Sequence, residues 1–388
     1  MADLAKHVVF VCFYSPGDNT VGYRRCLYFA NSLIALGLKV TYVTRVSPDY
    51  QAELINPKIR FVYAQAGGSV AEEGNARASS FRLLGKKYFG QLFHPWLFSS
   101  AKLFVRSLKE VEVLPSQQTV FIGSHPSWHA FLVAWALSRY HRGKLILDYR
   151  DLFSGSHLFS KNFIWFERVI ERFFLKNSDA VITVSAPWLD YITHPRKYLV
   201  PNGFDSRVFS DVGNVSVQSN TIRYFGSISF ADRVPAALIH LVRARVDLQF
   251  EFFGDCHLLK PLVKECNNVR FFGPVPYAVA IRKMCSAGAN LIVSLPDHDV
   301  SRRGMLQTKA FEYMAAGRPI LIVGDNSGSS ATHALIRPSG LVYDIDDFYS
   351  GANLERPSSS IDRAYIQKFD RASLVVQIEQ IIEEICAP

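Results

Sequence analysis

No run of apolar residues in the 388-residue sequence approaches the roughly 18 needed to cross a bilayer, so a membrane-spanning protein is not expected. CxxC pairs and His-rich spacings are also absent. The six cysteines (Cys12, Cys26, Cys256, Cys266, Cys285 and Cys386) stand apart, which argues against a zinc site. Several sit in apolar runs, as reduced core thiols do, and point to a reducing, cytoplasmic compartment. No signal-peptide pattern precedes the first strand-like run, "HVVFVCFY". The GxGxxG fingerprint of dinucleotide binding is missing. So are RNP sequences and zinc-finger spacings, and nucleic acid is not an expected partner.

What is present describes a folded protein. Apolar residues make up 49% and charged residues 20%, a balance that excludes intrinsic disorder. The length exceeds what one core usually organises and suggests two domains. A formal net charge of +9 attracts nucleic acid, anionic lipid or phosphorylated ligands, and composition alone does not choose among them.

Strand-like and helix-like segments alternate along the first two hundred residues. "HVVFVCFY", "KVTYVTR", "IRFVYA", "TVFIGS", "KLILDYR" and "AVITVS" read as short buried strands. "GYRRCLYFANSLIALG", "SWHAFLVAWALSRYH" and "NFIWFERVIERFFLK" read as helices between them. That rhythm implies a parallel sheet covered by helices. The Pro-, Gly- and Ser-rich stretch at 199–223 breaks it and reads as a linker, after which it resumes. The expected organisation is α/β. An amino-terminal Rossmann-like domain covers 1–203, a second covers 204–370, and an amphipathic helix fills 371–388. The two doubly wound domains are expected to face each other across a cleft, with ligands at the carboxyl ends of the strands.

Four stretches, taken in order, resemble a known family: "GYRRCLYFANSLIALGLKVTYVT", "LILDYRDLFSGS" with "KNSDAVITVS", "YLVPNGFDSRVF", and "LQTKAFEYMAAGRPIL". Their order and spacing are similar to those of GT-B glycosyltransferases, closest to the group-4-like bacterial enzymes that build surface polysaccharides. The resemblance implies a metal-independent, hexosyltransferase-type enzyme that moves a sugar from a nucleotide-sugar donor to a lipid-linked or glycan acceptor. It implies retention of configuration, with inversion left open, and no cofactor or metal beyond the nucleotide-sugar co-substrate. It further implies that the carboxy-terminal domain holds the donor and the amino-terminal domain the acceptor.

The resemblance also distributes roles. The diphosphate would lie at the start of the helix in "GMLQTKAFEYMAAG" (Gly304, Met305, Leu306, Gln307, Thr308, Lys309), where the helix dipole favours an anion. Lys309 would pair with phosphate and Glu312 would take the ribose hydroxyls; read without the resemblance, Glu312 is a solvent-facing charge. The family's other glutamate falls at Gly304, so Arg302 or Arg303 could supply charge there instead. Arg233 would face the diphosphate, and the backbone at Val275 and Pro276 would hold the base. On the acceptor side, His125 would contact the donor sugar, while His129 reads as a packed histidine. Asp151 would serve as general base, or else as a helix cap or partner of Arg150. Gly17 and Gly22 would let the loop at 15–25 approach a ligand, or simply turn the chain. The aromatic and basic stretch at 79–110 suggests peripheral attachment to the inner, anionic face of the cytoplasmic membrane, or two helices packed on the sheet. Two other readings stay open: a sugar-nucleotide epimerase, and a non-catalytic nucleotide-binding scaffold with a degenerate site, for which Gly304 is the best argument.

Overall fold

The computed structural model describes residues 6–17, 22–50, 54–65, 97–113, 118–156, 162–228, 236–294, 300–324, 330–343 and 361–387. Its backbone divides into two units, Met1–Pro201 with Val375–Pro388, and Asn202–Leu374.

In the first unit the strands are β1 (Lys6–Cys12), β2 (Lys39–Val46), β3 (Arg60–Gln65), β4 (Gln118–His125), β5 (Lys144–Tyr149), β6 (Ala180–Thr183) and β7 (Lys197–Leu199). They form one sheet in the order β3-β2-β1-β4-β5-β6-β7, and every pairing is parallel. The second unit repeats the plan with β8 (Gln218–Phe225), β9 (Gln249–Phe253), β10 (Val269–Gly273), β11 (Ala287–Val293), β12 (Ile320–Val323) and β13 (Val342–Tyr343). Its order is β10-β9-β8-β11-β12-β13, again all parallel. In both sheets the order reverses beside the first strand, between β1 and β4 and between β8 and β11. Such switch points open a crevice at the strands' carboxyl ends.

The apolar runs are continuous because both faces of each sheet are covered. In the second unit Ile222, Tyr224, Phe250 and Phe252 point into one core, and Phe225, Phe253, Ile292 and Ile322 into another. Alternate side chains along one strand thus enter opposite layers, and neither can be polar without a partner. The helices used below are α1 (Arg24–Ala35), α2 (Trp128–Tyr140), α3 (Ile164–Lys176), α4 (Tyr277–Cys285), α5 (Lys309–Ala316) and α6 (Arg371–Cys386). From Val375 onward α6 belongs to the first unit, where Glu383 meets Lys6 at 3.1 Å and the Cys386 carbonyl accepts from Gln118.

Three features depart from the sequence reading. β7 and β13 are additional strands, and a five-residue helix, Ser206–Ser210, and the start of β8 stand inside the stretch read as linker. Within the stretch 79–110, residues 79–96 lie outside the described residues, and Leu97–Glu110 is a helix. This helix lays Leu103, Phe104 and Leu108 on the core of the first sheet, so its described part packs in the alternative way considered above.

One buried ion pair organises the first unit. Arg25, on the inner face of α1, donates to Asp148 at 3.2 Å, with both side chains almost wholly buried. It also donates to the carbonyls of Val200 and Pro201, where the chain leaves this unit. Asp148 in turn accepts from Ser124 on β4 at 2.9 Å. Helix α1, strands β4 and β5 and the exit segment therefore meet on one guanidinium. A buried charge is tolerated only when it is paired and hydrogen-bonded throughout. We expect Arg25→Met to lower the unfolding free energy by about 3–5 kcal/mol, because it strands the Asp148 carboxylate. Urea denaturation measures this, and Arg25→Met combined with Asp148→Leu should recover part of the loss. A single variant as stable as the parent would refute the role.

Candidate functional site

In the second unit, helix α5 is fixed with its amino terminus at the β8/β11 switch point. Tyr313 accepts from the backbone of Phe225, the last residue of β8, at 3.1 Å. Gln307, just before the helix, donates to the carbonyl of Val293 at the end of β11 at 2.7 Å. Gly317, left-handed at φ 64°, ends the helix and turns the chain toward β12. The sequence therefore both starts and stops α5 where the two central strands finish.

The Lys309 ammonium lies 3.6 Å from the centre of the Tyr224 ring. It also stands against Gly226, where an added Cβ would sit 3.4 Å from Nζ. The turn Gly226–Ser227 is exposed, and three glycines make it possible. Gly226 has φ 129°, and a Cβ on Gly254 would fall 2.3 Å from the Gly226 carbonyl. Gly254 donates in turn to the carbonyl of Gly273 at the end of β10. The strand ends thus pack backbone to backbone, leaving a cation above an open glycine turn.

Glu312, one turn into α5, is partly exposed and accepts from the Tyr277 hydroxyl at 2.9 Å. Tyr277 opens α4 immediately after Val275 and Pro276, and Pro276 occupies the cap position. The structure thereby brings Val275, Pro276, Glu312 and Lys309 to one end of one sheet. Tyr277 was not singled out in the sequence, because a tyrosine at a helix start reads as a packing residue. Thr308 precedes the helix without a side-chain cap bond, and Leu306 packs on the core below. Gly304 is buried, and the Met305 carbonyl accepts from Thr332. Arg302 is partly exposed and Arg303 exposed. Arg233 lies outside the described residues. So does an Asp297-His298-Asp299 triplet four residues beyond Val293, an Asp-x-Asp pattern, whereas metal independence was expected on the ground that no such motif stands at a strand end. Among the described residues no group of three or more His, Cys, Asp or Glu could hold a metal.

In the first unit His125, Arg150, Asp151 and Gly22 come together at the ends of β4 and β5. His125 is 1% exposed, enclosed by Phe131, Tyr149 and Phe153 at ring separations of 5.7, 6.5 and 5.9 Å. Burial first, and the Arg150 charge second, hold its imidazole down to about 3, so it is neutral at any working pH. As placed, its side chain lies beneath the surface. His129 is fully buried, with Nδ1 2.7 Å from the Ser127 hydroxyl, in keeping with a packed histidine. Asp151 retains some exposure, and burial pushes its carboxyl up to about 6 against the pull of Arg150. Arg150 donates to the Gly22 carbonyl, tying the loop after β1 to the end of β5. The two loop glycines answer to packing. A Cβ on Gly17 (φ 92°) would strike Asp49, and one on Gly22 would strike the Tyr14 ring.

Structures with the same architecture include sucrose-phosphate synthase of Thermosynechococcus elongatus (TM-score 0.65, 16% identity, covering 98% of this chain and 99% of that one). HepE of Anabaena, solved with UDP and glucose, aligns at TM-score 0.63 and 15% identity over 98% of this chain and 100% of its own. A glycosyltransferase of Rickettsia africae aligns at TM-score 0.63 and 14% identity over 98% of both. No family model matches the sequence, and no curated protein does. The fold is GT-B. Identity at this level establishes the fold alone.

The segment after β5 that carries Arg150 and Asp151 is clamped from below by two carboxylates of α3, which the sequence reading passed over as ordinary helix charges. The Gly155 amide donates to Glu167, and the Ser154 hydroxyl to Glu171. Burial pushes the Glu171 carboxyl up to about 7, opposed by its bonds from Ser154 and Tyr149 and assisted by Glu167. A folded-state value above the unfolded one means the native protein holds the extra proton between the two. Stability from this group is therefore full below about pH 4.5 and lost as pH rises through about 7. Glu171→Gln keeps an acceptor for Ser154 and removes the titration. Relative to this variant, the parent should lose on the order of 3 kcal/mol across that window. Denaturation series at several pH values measure the difference, and a difference that does not vary with pH would overturn the assignment.

Proposed function

We propose that the chain is a glycosyltransferase that takes its sugar from a nucleotide-sugar bound on the second unit. The observation that carries this reading is the Lys309 ammonium, held at the amino terminus of α5 over the open Gly226–Ser227 turn, with Glu312 one turn further on. A diphosphate needs concentrated positive charge and backbone donors in a partly dry site, and a helix terminus with a lysine supplies both. Glu312, partly open and already accepting a hydrogen bond from Tyr277, suits a ribose diol. Val275 and Pro276 stand next to Tyr277, where a base could be read by backbone. Similarity of fold to HepE, whose solved complex holds UDP and glucose, supports the same donor class.

In this reading the lysine and helix terminus take the place of a metal. Retention of configuration is the expected stereochemistry. Asp151, whose carboxyl titrates near neutrality, is the base that an inverting route would require. The acceptor is a lipid-linked or polymeric glycan in surface-polysaccharide assembly, and Arg150 and Asp151 belong to its side of the reaction.

Thermal-shift and titration measurements with UDP, GDP, dTDP and ADP, and with their sugar conjugates, test the donor site directly. One nucleotide should raise the midpoint by mass action. Lys309→Ala should weaken its affinity by about tenfold or more, as loss of a charge-assisted bond does. Glu312→Gln should weaken it less, with the unfolding midpoint unchanged in both. A folded protein that binds none of the four would refute the reading. Transfer should also persist in excess chelator, and its loss there would return attention to the Asp297–Asp299 triplet.

A further inference from the structure

Helix α3 turns its charges the wrong way for an ordinary surface helix. Its two acids, Glu167 and Glu171, are buried at 2% and 6% exposure, where they clamp the segment after β5. Outward it presents Trp165, Phe166, Val169 and Phe173 at 63%, 42%, 51% and 42% exposure. An amphipathic helix on a soluble protein would place these large apolar groups against its core. Here the inner side is already taken by Glu167, Glu171 and Phe174, with Ile170 and Leu175 packed against the core.

The outer face is also ordered by spacing. Trp165, Val169 and Phe173 follow one another at intervals of four and make a stripe along the helix. Arg168, Arg172 and Lys176, all exposed, repeat at the same interval and make a second stripe beside it. No acid of this helix faces outward. Along the basic stripe runs a groove of about 730 Å³, closed on its far side by Tyr191, Thr193 and His194, with Glu171 in its lining. Aromatic groups beside cations over a helix of about 20 Å match the boundary between headgroups and acyl chains.

We propose that this face of α3 docks the protein on an anionic lipid surface. Trp165, Phe166, Val169 and Phe173 enter the acyl boundary, while Arg168, Arg172 and Lys176 pair with lipid phosphates along the groove. Charge decides the occupant. A second copy docked by the same face would set two basic stripes against each other, whereas a lipid phosphate neutralises them. The excess of 43 Lys and Arg over 34 Asp and Glu favours approach to the same surface. No described helix is long and apolar enough to cross a membrane, and α3 stays folded on its sheet while lying on the lipid. The assignment rests on this helix alone and stands whether or not the chain transfers sugar.

Co-sedimentation of the full chain with vesicles tests it, using phosphatidylcholine alone or with about one third phosphatidylglycerol. The protein should pellet with the anionic vesicles and not the neutral ones, and release as salt rises. Arg168→Ala with Arg172→Ala should weaken binding by about tenfold or more. Trp165→Ser with Val169→Ser should weaken it comparably while leaving the unfolding midpoint unchanged, since these positions are exposed. Brominated lipid should quench tryptophan emission in the parent and less in Trp165→Phe, which keeps the apolar surface. Failure of the parent to bind anionic vesicles would overturn the proposal, as would full binding by both paired variants. Self-association in sedimentation velocity, abolished by Trp165→Ser with Val169→Ser, would also overturn it by identifying a second copy as the occupant.

Discussion

Parallel strands all finish at one edge of their sheet, and that constraint governs where chemistry can be placed in both units. Every strand-to-helix turn that bears a functional candidate is forced to the same side. The reversal of strand order beside β1 and beside β8 then opens a gap between neighbouring turns. In the second unit α5 is aimed into that gap by Tyr313 and Gln307, each bonded to the last residue of a central strand.

The two strand-end regions solve different problems. The second unit's region is assembled from backbone and a cation, with glycines permitting strand ends to touch. It is built to receive charge. The first unit's region is assembled from buried polar groups: Arg25 with Asp148, Arg150 with the Gly22 carbonyl, and Glu167 and Glu171 beneath the segment that carries Asp151. It is largely buried, and burial is the condition that pushes a carboxyl such as Asp151 up to about 6.

Much of this was legible in the sequence, for physical reasons. Long buried strands and helices of ten or more residues impose a period that few other structures share, so β1, β5, α2 and α3 stand out. Strands β7 and β13, of three and two residues, are too short to show any period and exist only because a neighbour offers them a ladder. Lys309, Glu312, Val275 and Pro276 were singled out through their order along the chain, and the structure brings them to one end of one sheet. Arg25, Glu167 and Glu171 were missed because a charged residue on a helix looks solvated until its burial is known. His125 ends β4 as its place after a strand-like run implies, and its burial was not legible, since depth depends on three aromatic rings from elsewhere in the chain.

The return of α6 to the first unit makes the second unit an insertion in the chain rather than an appendage. Residues from Val375 onward return to a body whose earlier part ends at Pro201. During synthesis Lys6 and Gln118 meet their later partners, Glu383 and the Cys386 carbonyl, only after the whole second unit has been made. A chain ending before α6 would lack residues of both units, since Arg371–Leu374 belong to the second and Val375 onward to the first.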